Sequence, residues 1–293
     1  MHSFKNNLIL IAAALLLLPI FSSASSPAKG HLVIIGGGSR TDEIMKKFVE
    51  LAGGPKGTVV VFPMASSIAD TVGMEQSAEI KGLGVSRSFF LNITREQADN
   101  DSIVALLKDV TGIFFSGGDQ VLLMNALLGS KMEKRIKEIW RSGGVVGGTS
   151  AGAAVMSEVM ITGEELLNKD KDASFHTLLK GNVEHKVGFG FITEAIIDQH
   201  FVVRKRHNRL LIKMLEHPKL LGVAIDESTS IIVFPDRTFE VLGESVVLVY
   251  NATKAKNIST NKNGYFSAQD LTLNILKSGD RYDLKGKRAL KAR

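Results

Sequence analysis

The sequence predicts an α/β protein built on a three-layer, doubly wound and mostly parallel sheet. Apolar runs such as HLVIIGG at 31–37 and GIFFSGG at 112–118 end in glycines, which is typical of buried parallel strands. Segments with apolar residues at helical spacing follow most of these runs. Three closely spaced apolar runs between 230 and 253 predict an antiparallel extension at the C-terminal end of the sheet.

The first half of the chain alternates between strand and helix. After the strand at 31–37, a helix is expected over 41–54, since Ile44, Met45, Phe48 and Val49 share a face. The elements that follow are predicted by the same patterns: strands at 58–66, 85–93 and 112–118, and helices near 72–82 and over 95–108 and 119–128. Repeated strand–helix units of this kind imply helices on both faces of a parallel sheet.

The second half continues this pattern after one interruption. The elements predicted there are a strongly amphipathic helix over 131–144, strands at 145–148, 195–201 and 221–227, a helix over 204–218, and antiparallel strands at 230–236, 238–243 and 245–253. Residues 162–187 are polar and irregular in between. We expect them to form an insertion or a lid-like loop beside a site.

Length and composition exclude several classes of protein. With 293 residues, 44% of them hydrophobic, the chain suffices for one large domain or two small ones, and we expect a single domain over 25–293. The absence of cysteine excludes disulfides, a cysteine nucleophile and thiolate metal sites. The net charge of +6 is mild and partly lies in a basic tail, about 278–293, which we expect to be solvated. No basic patch interleaved with aromatic residues suggests nucleic acid binding.

The N-terminus has the three parts of a secretory signal peptide. Lys5 precedes the apolar run 8–21, and small residues follow, which predicts a signal over 1–24 cut between Ala24 and Ser25. The alternative is an uncleaved membrane anchor, although the run is shorter than the roughly 20 residues of a spanning helix. We therefore expect a protein exported to the periplasm or out of the cell, without membrane attachment after cleavage.

Residues 148–152, Gly-Thr-Ser-Ala-Gly, match the G-x-S-x-G nucleophile elbow between a strand and a helix. Such a turn is so sharp that only small neighbours fit, and it exposes the serine oxygen above the sheet. Ser150 is therefore the candidate nucleophile, and the amide of Ala151 the candidate oxyanion donor. A second glycine turn, Gly117–Gly118, is expected at the same edge, where either amide would complete the oxyanion hole. Turns that are only structural would look similar.

A serine nucleophile needs a base, and His200 is the best candidate of the seven histidines. It ends a buried strand at the edge where parallel sheets bind ligands, although a core histidine would look similar. The other ring nitrogen needs an acceptor. Asp198 and Glu227 compete for this role, and Glu227 is favoured because it ends the next buried strand. Asp226 and Glu227 should point to opposite faces, so only one of them can face the site.

Four motifs of the chain together resemble those of a known family. In chain order, SGGDQ, GGTSAGA, DQHF-x-x-R-x-R-x-x-R-L and IDE resemble the motifs of cyanophycinases, over about His31 to Thr253. Cyanophycinases are serine peptidases with a class I glutamine amidotransferase-like fold. The related dipeptidase E group shares the elbow and the glycine turn, but the long DQHF string is similar to cyanophycinase instead.

The resemblance implies that Ser150 is the nucleophile, His200 its base and Glu227 the residue that orients the histidine. It also implies roles in substrate binding or activity for six further residues: Gln120, Asp198, Gln199, Arg204, Arg206 and Arg209. The implied substrate is cyanophycin, a poly-aspartate with arginine on each β-carboxyl, and the implied product is the β-Asp-Arg dipeptide. The resemblance further implies a homodimer, and neither a metal nor another cofactor is required.

The chemistry of the substrate suits these side chains. Each unit carries a free carboxylate, which arginine can bind through two hydrogen bonds, and a guanidinium, for which Asp198 with Gln120 or Gln199 would be an acceptor. A solvated helix face is the alternative reading of the three arginines, and their spacing does not place all three on one stripe.

Three other functions remain open from the sequence. An aspartyl or isoaspartyl dipeptidase would use the same site on short peptides, and a non-catalytic binding protein could have the same fold. The third is a nucleotide-binding oxidoreductase, suggested by GGGSRT at 36–41. This signal is weak because the G-x-G-x-x-G motif requires a glycine where Thr41 stands.

Overall fold

The structure, a computed structural model, describes residues 28–167 and 175–291. Two mixed β-sheets, two smaller sheets of two strands each and the helices around them make up an α/β fold. The signal peptide expected over 1–24 lies outside the described residues. Nothing in the described ranges is both long enough and apolar enough to be a membrane-spanning helix.

The elements carry the following bounds. The strands are β1 (His31–Ile35), β2 (Thr58–Phe62), β3 (Arg87–Phe90), β4 (Gly112–Phe115), β5 (Val145–Thr149), β6 (Val159–Glu165), β7 (Val183–Val187), β8 (Ala195–Gln199), β9 (Leu221–Ile225), β10 (Thr229–Val233), β11 (Thr238–Gly243), β12 (Val246–Asn251), β13 (Lys256–Thr260), β14 (Phe266–Gln269), β15 (Thr272–Lys277), β16 (Arg281–Asp283) and β17 (Arg288–Leu290). The α-helices are α1 (Asp42–Leu51), α2 (Ala69–Gly82), α3 (Asp101–Val104), α4 (Gln120–Leu127), α5 (Lys131–Arg141), α6 (Ala151–Ala154) and α7 (His207–Glu216).

The large sheet has nine strands in the order β17-β16-β11-β10-β1-β5-β4-β2-β3. The strands β1, β5, β4, β2 and β3 are parallel, and β10, β11, β16 and β17 continue the sheet in antiparallel pairs. Both faces are buried, because Val33 packs in the cluster with α1 and α2 while Ile34 packs on the opposite side. The parallel core and the first two strands of the antiparallel extension are therefore as the sequence predicts, whereas the third strand expected there, at 245–253, does not join this sheet.

The prediction of a single sheet is wrong, because β8, β9, β12 and β15 form a second one. In it β8 and β9 are parallel, and β12 pairs antiparallel with β9 and β15. One face packs against the large sheet, where Val223 shares a core with Leu32, and the other packs against Leu210 of α7. A continuous apolar run reports burial on both faces of a strand, and it does not report which strand lies beside it.

Two predicted helices differ from those observed. The helix expected over 95–108 is broken at Asn100, whose backbone is extended (φ −79°, ψ 122°) and whose side chain accepts hydrogen bonds from the N–H groups of Ser102 and Ile103. This local cap restarts the chain as α3, with short 3₁₀ turns on either side. The helix expected over 204–218 begins only at His207, so Arg204 and Arg206 lie in the turn before it.

The segment expected to be an irregular insertion has regular ends. Strands β6 and β7 pair antiparallel from Val159–Val187 to Glu165–Val183, and form a hairpin with a register shift between Ile161 and Glu165. Residues 168–174 between them lie outside the described residues. The polar composition reflects the partial exposure of the hairpin: Met160, Ile161, Glu165 and Val183 are buried, whereas the other residues of the two strands are half-buried or exposed.

The solvated tail expected at 278–293 is instead built into the large sheet. Strand β16 pairs with β11 and β17 pairs with β16. Tyr282 is fully buried, and its ring stacks on Phe239 with 5.6 Å between the centroids. Tyr282 and Leu284 are buried, but the many basic residues around them make the tail polar in composition, so the composition does not indicate this burial.

We predict that Tyr282→Ala lowers the free energy of unfolding by about 3–5 kcal/mol, because it leaves a cavity where a whole aromatic ring was buried. Chemical denaturation of the purified protein measures this change. Tyr265→Ala is the matched control, since Tyr265 is 44% exposed and should lose no more than about 1 kcal/mol. Equal losses in the two variants would show that the C-terminal segment is solvated after all.

Candidate active site

Ser150 lies on the sharp turn between β5 and α6, with a strained backbone of φ 54° and ψ −111°. The elbow is tight because its glycines touch other backbone atoms. A Cβ on Gly148 would lie 2.3 Å from the carbonyl oxygen of Gly152, and a Cβ on Gly152 would lie 2.2 Å from that of Phe115. Any larger residue would push the helix away from the strand, so these glycines fix the position of the serine.

Hydrogen bonds connect Ser150, His200 and Glu227. The Oγ of Ser150 is 2.8 Å from Nε2 of His200, and Nδ1 of His200 is 2.5 Å from Oε1 of Glu227. Because a carboxylate can only accept, Nδ1 donates to Glu227 and leaves Nε2 free to accept the serine proton. The structure therefore brings together the three residues that the sequence selected, in the order hydroxyl, imidazole and carboxylate.

The three residues do not come from one sheet. Ser150 follows β5 of the large sheet, whereas His200 and Glu227 follow β8 and β9 of the second sheet. The glycines after β1 join the two sheets. The N–H of His200 donates to the carbonyl of Gly36 at 2.7 Å, and the N–H of Ser228 donates to the carbonyl of Gly37 at 2.9 Å.

Gly37 is required at this junction. Its φ is +106°, and a Cβ there would lie 2.2 Å from the imidazole of His200. From the sequence these glycines are predicted to end a strand, and they match part of a nucleotide-binding motif only weakly. Their actual role, as the surface on which the histidine rests, depends on a contact between segments more than 160 positions apart and has no local signal.

Asp226 points away from Glu227, as expected for neighbours on a strand end. Its Oδ1 accepts hydrogen bonds from the N–H groups of Val202 and Val203 at 3.0 and 3.1 Å, and its Oδ2 accepts one from Ser245 at 2.7 Å. Adjacent carboxylates at the end of β9 thus hold both the ring of His200 and the turn that follows it. No local pattern in the sequence predicts this role of Asp226.

The surroundings of His200 favour the neutral imidazole. Burial lowers the pKa of His200 below its ordinary value, and the positive charges of Arg204 and Arg206 lower it further, while the hydrogen bond to Glu227 acts in the opposite direction. A neutral imidazole is the form that can take a proton from Ser150.

The two amides expected to form an oxyanion hole are close to Ser150. Ala151 is the next residue and begins α6, and Gly118 lines the same cavity as Ser150. Gly118 has a φ of +133°, and a Cβ there would lie 2.0 Å from the carbonyl oxygen of Ala65, so no other residue fits. The role of these amides as oxyanion donors stays a prediction.

A cavity of about 600 Å³ opens beside Ser150. The β6–β7 hairpin and the turn before α7 form much of its wall. Its charged lining residues are of both signs: Asp119, Glu164 and Glu184 are acidic, and Lys186, Arg204, Lys205, Arg206 and Arg209 are basic. The cavity can therefore take a ligand that carries charges of both signs.

Asp198 does not have the role expected from the sequence, because it is paired with Arg209. Both side chains are buried and form a two-bond ion pair, in which Nε of Arg209 donates to Oδ2 of Asp198 at 2.8 Å and Nη2 donates to Oδ1. The N–H of Gln199 also donates to Oδ1 of Asp198. The expectation that Asp198 accepts from a substrate guanidinium is wrong, because Arg209 already occupies that position.

The other predicted binding residues also make contacts within the protein. Nε2 of Gln120 donates to the carbonyls of Ile161 and Thr162 at 2.8 and 2.6 Å, which attaches the hairpin to α4. Nη1 of Arg206 donates to the carbonyl and to the side-chain oxygen of Gln199. Gln120 and Gln199 therefore build the wall of the cavity.

Two arginines, Arg204 and Arg206, lie in the turn before α7. Burial and the nearby charge of Arg209 lower the pKa of Arg206 to about 10, so Arg206 stays charged at neutral pH. The side chain of Arg204 is 53% exposed, with its Nε 3.9 Å from Oε1 of Glu227. Neither arginine lies on a solvated helix face, and both line the cavity.

The described residues contain no group of three or more His, Asp or Glu side chains placed to hold a metal ion. What the arrangement offers is a hydroxyl nucleophile, a neutral base and an orienting carboxylate. These are the groups needed for acyl transfer.

Comparison with known proteins identifies relatives of this chain. The model of peptidase family S51 matches residues 32–241. A cyanophycinase from Geminocystis herdmanii is 32% identical over 268 residues, which cover 88% of this chain and 94% of the relative. A cyanophycinase from Synechococcus elongatus is 33% identical over 267 residues, which cover 88% of this chain and 80% of the relative.

Solved structures agree with these matches. A peptidase from an acI-B1 Actinobacterium superposes with a TM-score of 0.64 at 26% identity, over 88% of this chain and 98% of its own. A putative peptidase E from Listeria monocytogenes shares the fold, with a TM-score of 0.51 at 17% identity over 74% of this chain. The family match and the curated relatives both extend over most of the chain, and the chain therefore belongs to peptidase family S51 and is a serine-type peptidase.

Proposed function

We propose that the protein hydrolyses cyanophycin to β-Asp-Arg dipeptides with Ser150, His200 and Glu227 as its catalytic triad, on a class I glutamine amidotransferase-like fold. The observation that carries this proposal is the hydrogen-bonded chain of these three side chains beside a cavity of mixed charge. The similarity to curated cyanophycinases supports the choice of substrate.

The mechanism begins with attack of the Ser150 Oγ on a backbone carbonyl between two aspartates. Nε2 of His200, 2.8 Å from that oxygen, accepts the serine proton, and Glu227 stabilises the imidazolium that forms. The amides of Ala151 and Gly118 stabilise the oxyanion of the tetrahedral intermediate. His200 then gives its proton to the leaving amine, and a water molecule hydrolyses the acyl-enzyme by the same steps.

The cavity of about 600 Å³ suits a substrate unit that carries one guanidinium and one carboxylate. Since Asp198 is occupied by Arg209, the acceptors for the guanidinium are Glu164, Glu184 and Asp119 in the outer wall. The carboxylate faces Arg206 and Lys186, which can bind it through charge-assisted hydrogen bonds. Arg209, which also lines this cavity, is held in place by its ion pair with Asp198.

Export places this activity outside the cytoplasm. Residues 1–24 have the pattern of a signal peptide, and the mature enzyme would then digest polymer released by other cells. Short aspartyl peptides are the alternative substrates, as in the dipeptidase E type.

We predict that the purified mature protein releases β-Asp-Arg from cyanophycin granules, as measured by mass spectrometry of the soluble products. Ser150→Ala should lower kcat by about 10⁴-fold or more while granule binding stays nearly unchanged, because it removes only the nucleophile. Ser142→Ala, an exposed serine at the end of α5, is the matched control and should retain full activity.

A fluorophosphonate probe separates the alternatives. It should label the wild type and the Ser142→Ala variant but not the Ser150→Ala variant. Turnover of short aspartyl peptides with intact granules would favour a dipeptidase. A wild-type protein that the probe does not label would favour a non-catalytic binding protein.

We predict that Arg204→Gln moves the acid limb of the pH profile of kcat/KM to higher pH. The base must be neutral, so activity rises as the pH passes the pKa of free His200. The positive charge of Arg204 lowers that pKa, and its removal raises it again. Arg95→Gln, which removes a similarly exposed arginine elsewhere, is the control. An unchanged limb in Arg204→Gln, or an equal shift in the control, would contradict this assignment.

We also predict that the exported protein begins at Ser25. N-terminal sequencing of protein from the periplasm or the culture medium of an expressing bacterium measures this directly. Replacing Leu15 and Leu16 by arginine interrupts the apolar run and should keep the protein in the cytoplasm. A protein that stays in the membrane fraction with an intact N-terminus would instead support an uncleaved anchor.

A further inference from the structure

We propose that a second cavity, on the His200 side of Ser150, is a carboxylate-binding subsite for the leaving-group residue of the substrate, with Arg40 as its specificity-determining residue. This inference rests on the proposed peptidase function and deepens it. The cavity has a volume of about 450 Å³ and shares Ser150, Gly118 and Arg204 with the first one.

The position of His200 shows which part of the substrate each cavity takes. After Ser150 attacks, the leaving nitrogen must receive a proton from Nε2 of His200, so the leaving group lies beside the imidazole. His200 lines the second cavity and does not line the first. The first cavity therefore holds the acyl part of the substrate, and the second holds the residue that departs as an amine.

The second cavity is lined by hydrogen-bond donors. Its polar side chains, apart from Ser150 and His200, come from four residues: Arg40, Gln76, Thr149 and Arg204. No Asp or Glu side chain is among its lining residues in the described part of the chain. This contrasts with the first cavity, where three acidic residues face five basic ones.

Arg40 is only partly used by the protein. Its Nη2 donates to Oε2 of Glu79 at 2.5 Å, which holds the guanidinium in place on α2. Its Nε is buried without a hydrogen-bond partner, and Nη1 is not buried and makes no hydrogen bond within the described ranges. Nη1 therefore has donor capacity left for a ligand in the cavity.

Gln76 is held in a fixed orientation. It is 6% exposed, and its Oε1 accepts a hydrogen bond from Ser116 Oγ at 2.7 Å. This bond uses the acceptor of the amide and leaves Nε2 as its remaining donor. The amide of Gln76 and the guanidinium of Arg40 can both donate hydrogen bonds into the cavity, and no acidic side chain lines it. Such a cavity is suited to binding a carboxylate.

The expected ligand is a carboxylate on the residue whose amine departs. In an arginylated poly-aspartate this carboxylate belongs to the arginine of the departing unit, and at the carboxyl end of the polymer also to its aspartate, so the subsite adds to the recognition of the polymer. It would also select against peptides in which that residue is uncharged.

The test uses two synthetic substrates that are identical up to the scissile bond. In one the leaving residue is aspartate, and in the other it is the matching diamide. The wild type should cleave the aspartate substrate with a kcat/KM about tenfold to a hundredfold higher. Arg40→Gln should lose that factor on the aspartate substrate and leave the diamide substrate unchanged.

Glu79→Gln is the matched control, because it removes the ion pair of Arg40 but keeps the guanidinium and a side-chain oxygen to hold it. It should retain the preference for the aspartate substrate. An equal loss on both substrates in Arg40→Gln, or the same loss of preference in Glu79→Gln, would overturn the subsite. So would a wild type without any preference.

A binding measurement separates failure of the subsite from failure of the proposed function. Free aspartate should slow fluorophosphonate labelling of Ser150 in the wild type but not in Arg40→Gln, and aspartic diamide should slow neither. If the granules are not digested but this protection occurs, the cyanophycin proposal fails and the subsite stands. If the granules are digested and aspartate gives no protection, the subsite proposal fails alone.

Discussion

The contact between the glycines that follow β1 and the ends of β8 and β9 holds the catalytic arrangement together. Two backbone hydrogen bonds, from His200 to Gly36 and from Ser228 to Gly37, join one sheet to the other. Ser150 follows a strand of the large sheet, whereas His200 and Glu227 follow strands of the second sheet. The 2.8 Å distance between serine and imidazole is therefore set by the packing of whole sheets, through a junction at which no side chain larger than glycine fits.

Two groups of charged residues have different functions around this junction. The buried pair of Asp198 and Arg209 and the fully bonded carboxylate of Asp226 fix the turn between His200 and α7. Removing one partner from a buried ion pair typically costs about 3–5 kcal/mol, so such residues serve the architecture. Arg204, whose Nε lies 3.9 Å from Oε1 of Glu227, and Arg206, which donates to Gln199, line the cavity from that turn, and their positive charge favours a neutral histidine. The same loop thus supplies rigidity and electrostatic tuning.

Much of the site could be predicted from the sequence, because each of its three residues ends or follows a buried strand. The elbow at Ser150 has a local pattern, and Glu227 was favoured over Asp198 because it ends the next buried strand; strand alternation showed only that one of Asp226 and Glu227 can face the site. The failures concern contacts between distant segments. Apolar runs did not show that β8 and β9 leave the large sheet, and the arginine spacing did not show that Arg209 is bonded to Asp198. Gly37 and Asp226 act only through such contacts.

The location of β16 and β17 has a consequence for how the molecule is made. These strands cover the edge of β11 and follow all the other strands of the large sheet in the chain, so they are synthesised after the rest of the sheet. Until they emerge, β11 presents a row of unpaired N–H and C=O groups, the kind of edge onto which other polypeptides add. Strands β16 and β17 therefore close this edge, and a chain truncated before Arg281 would be prone to aggregate.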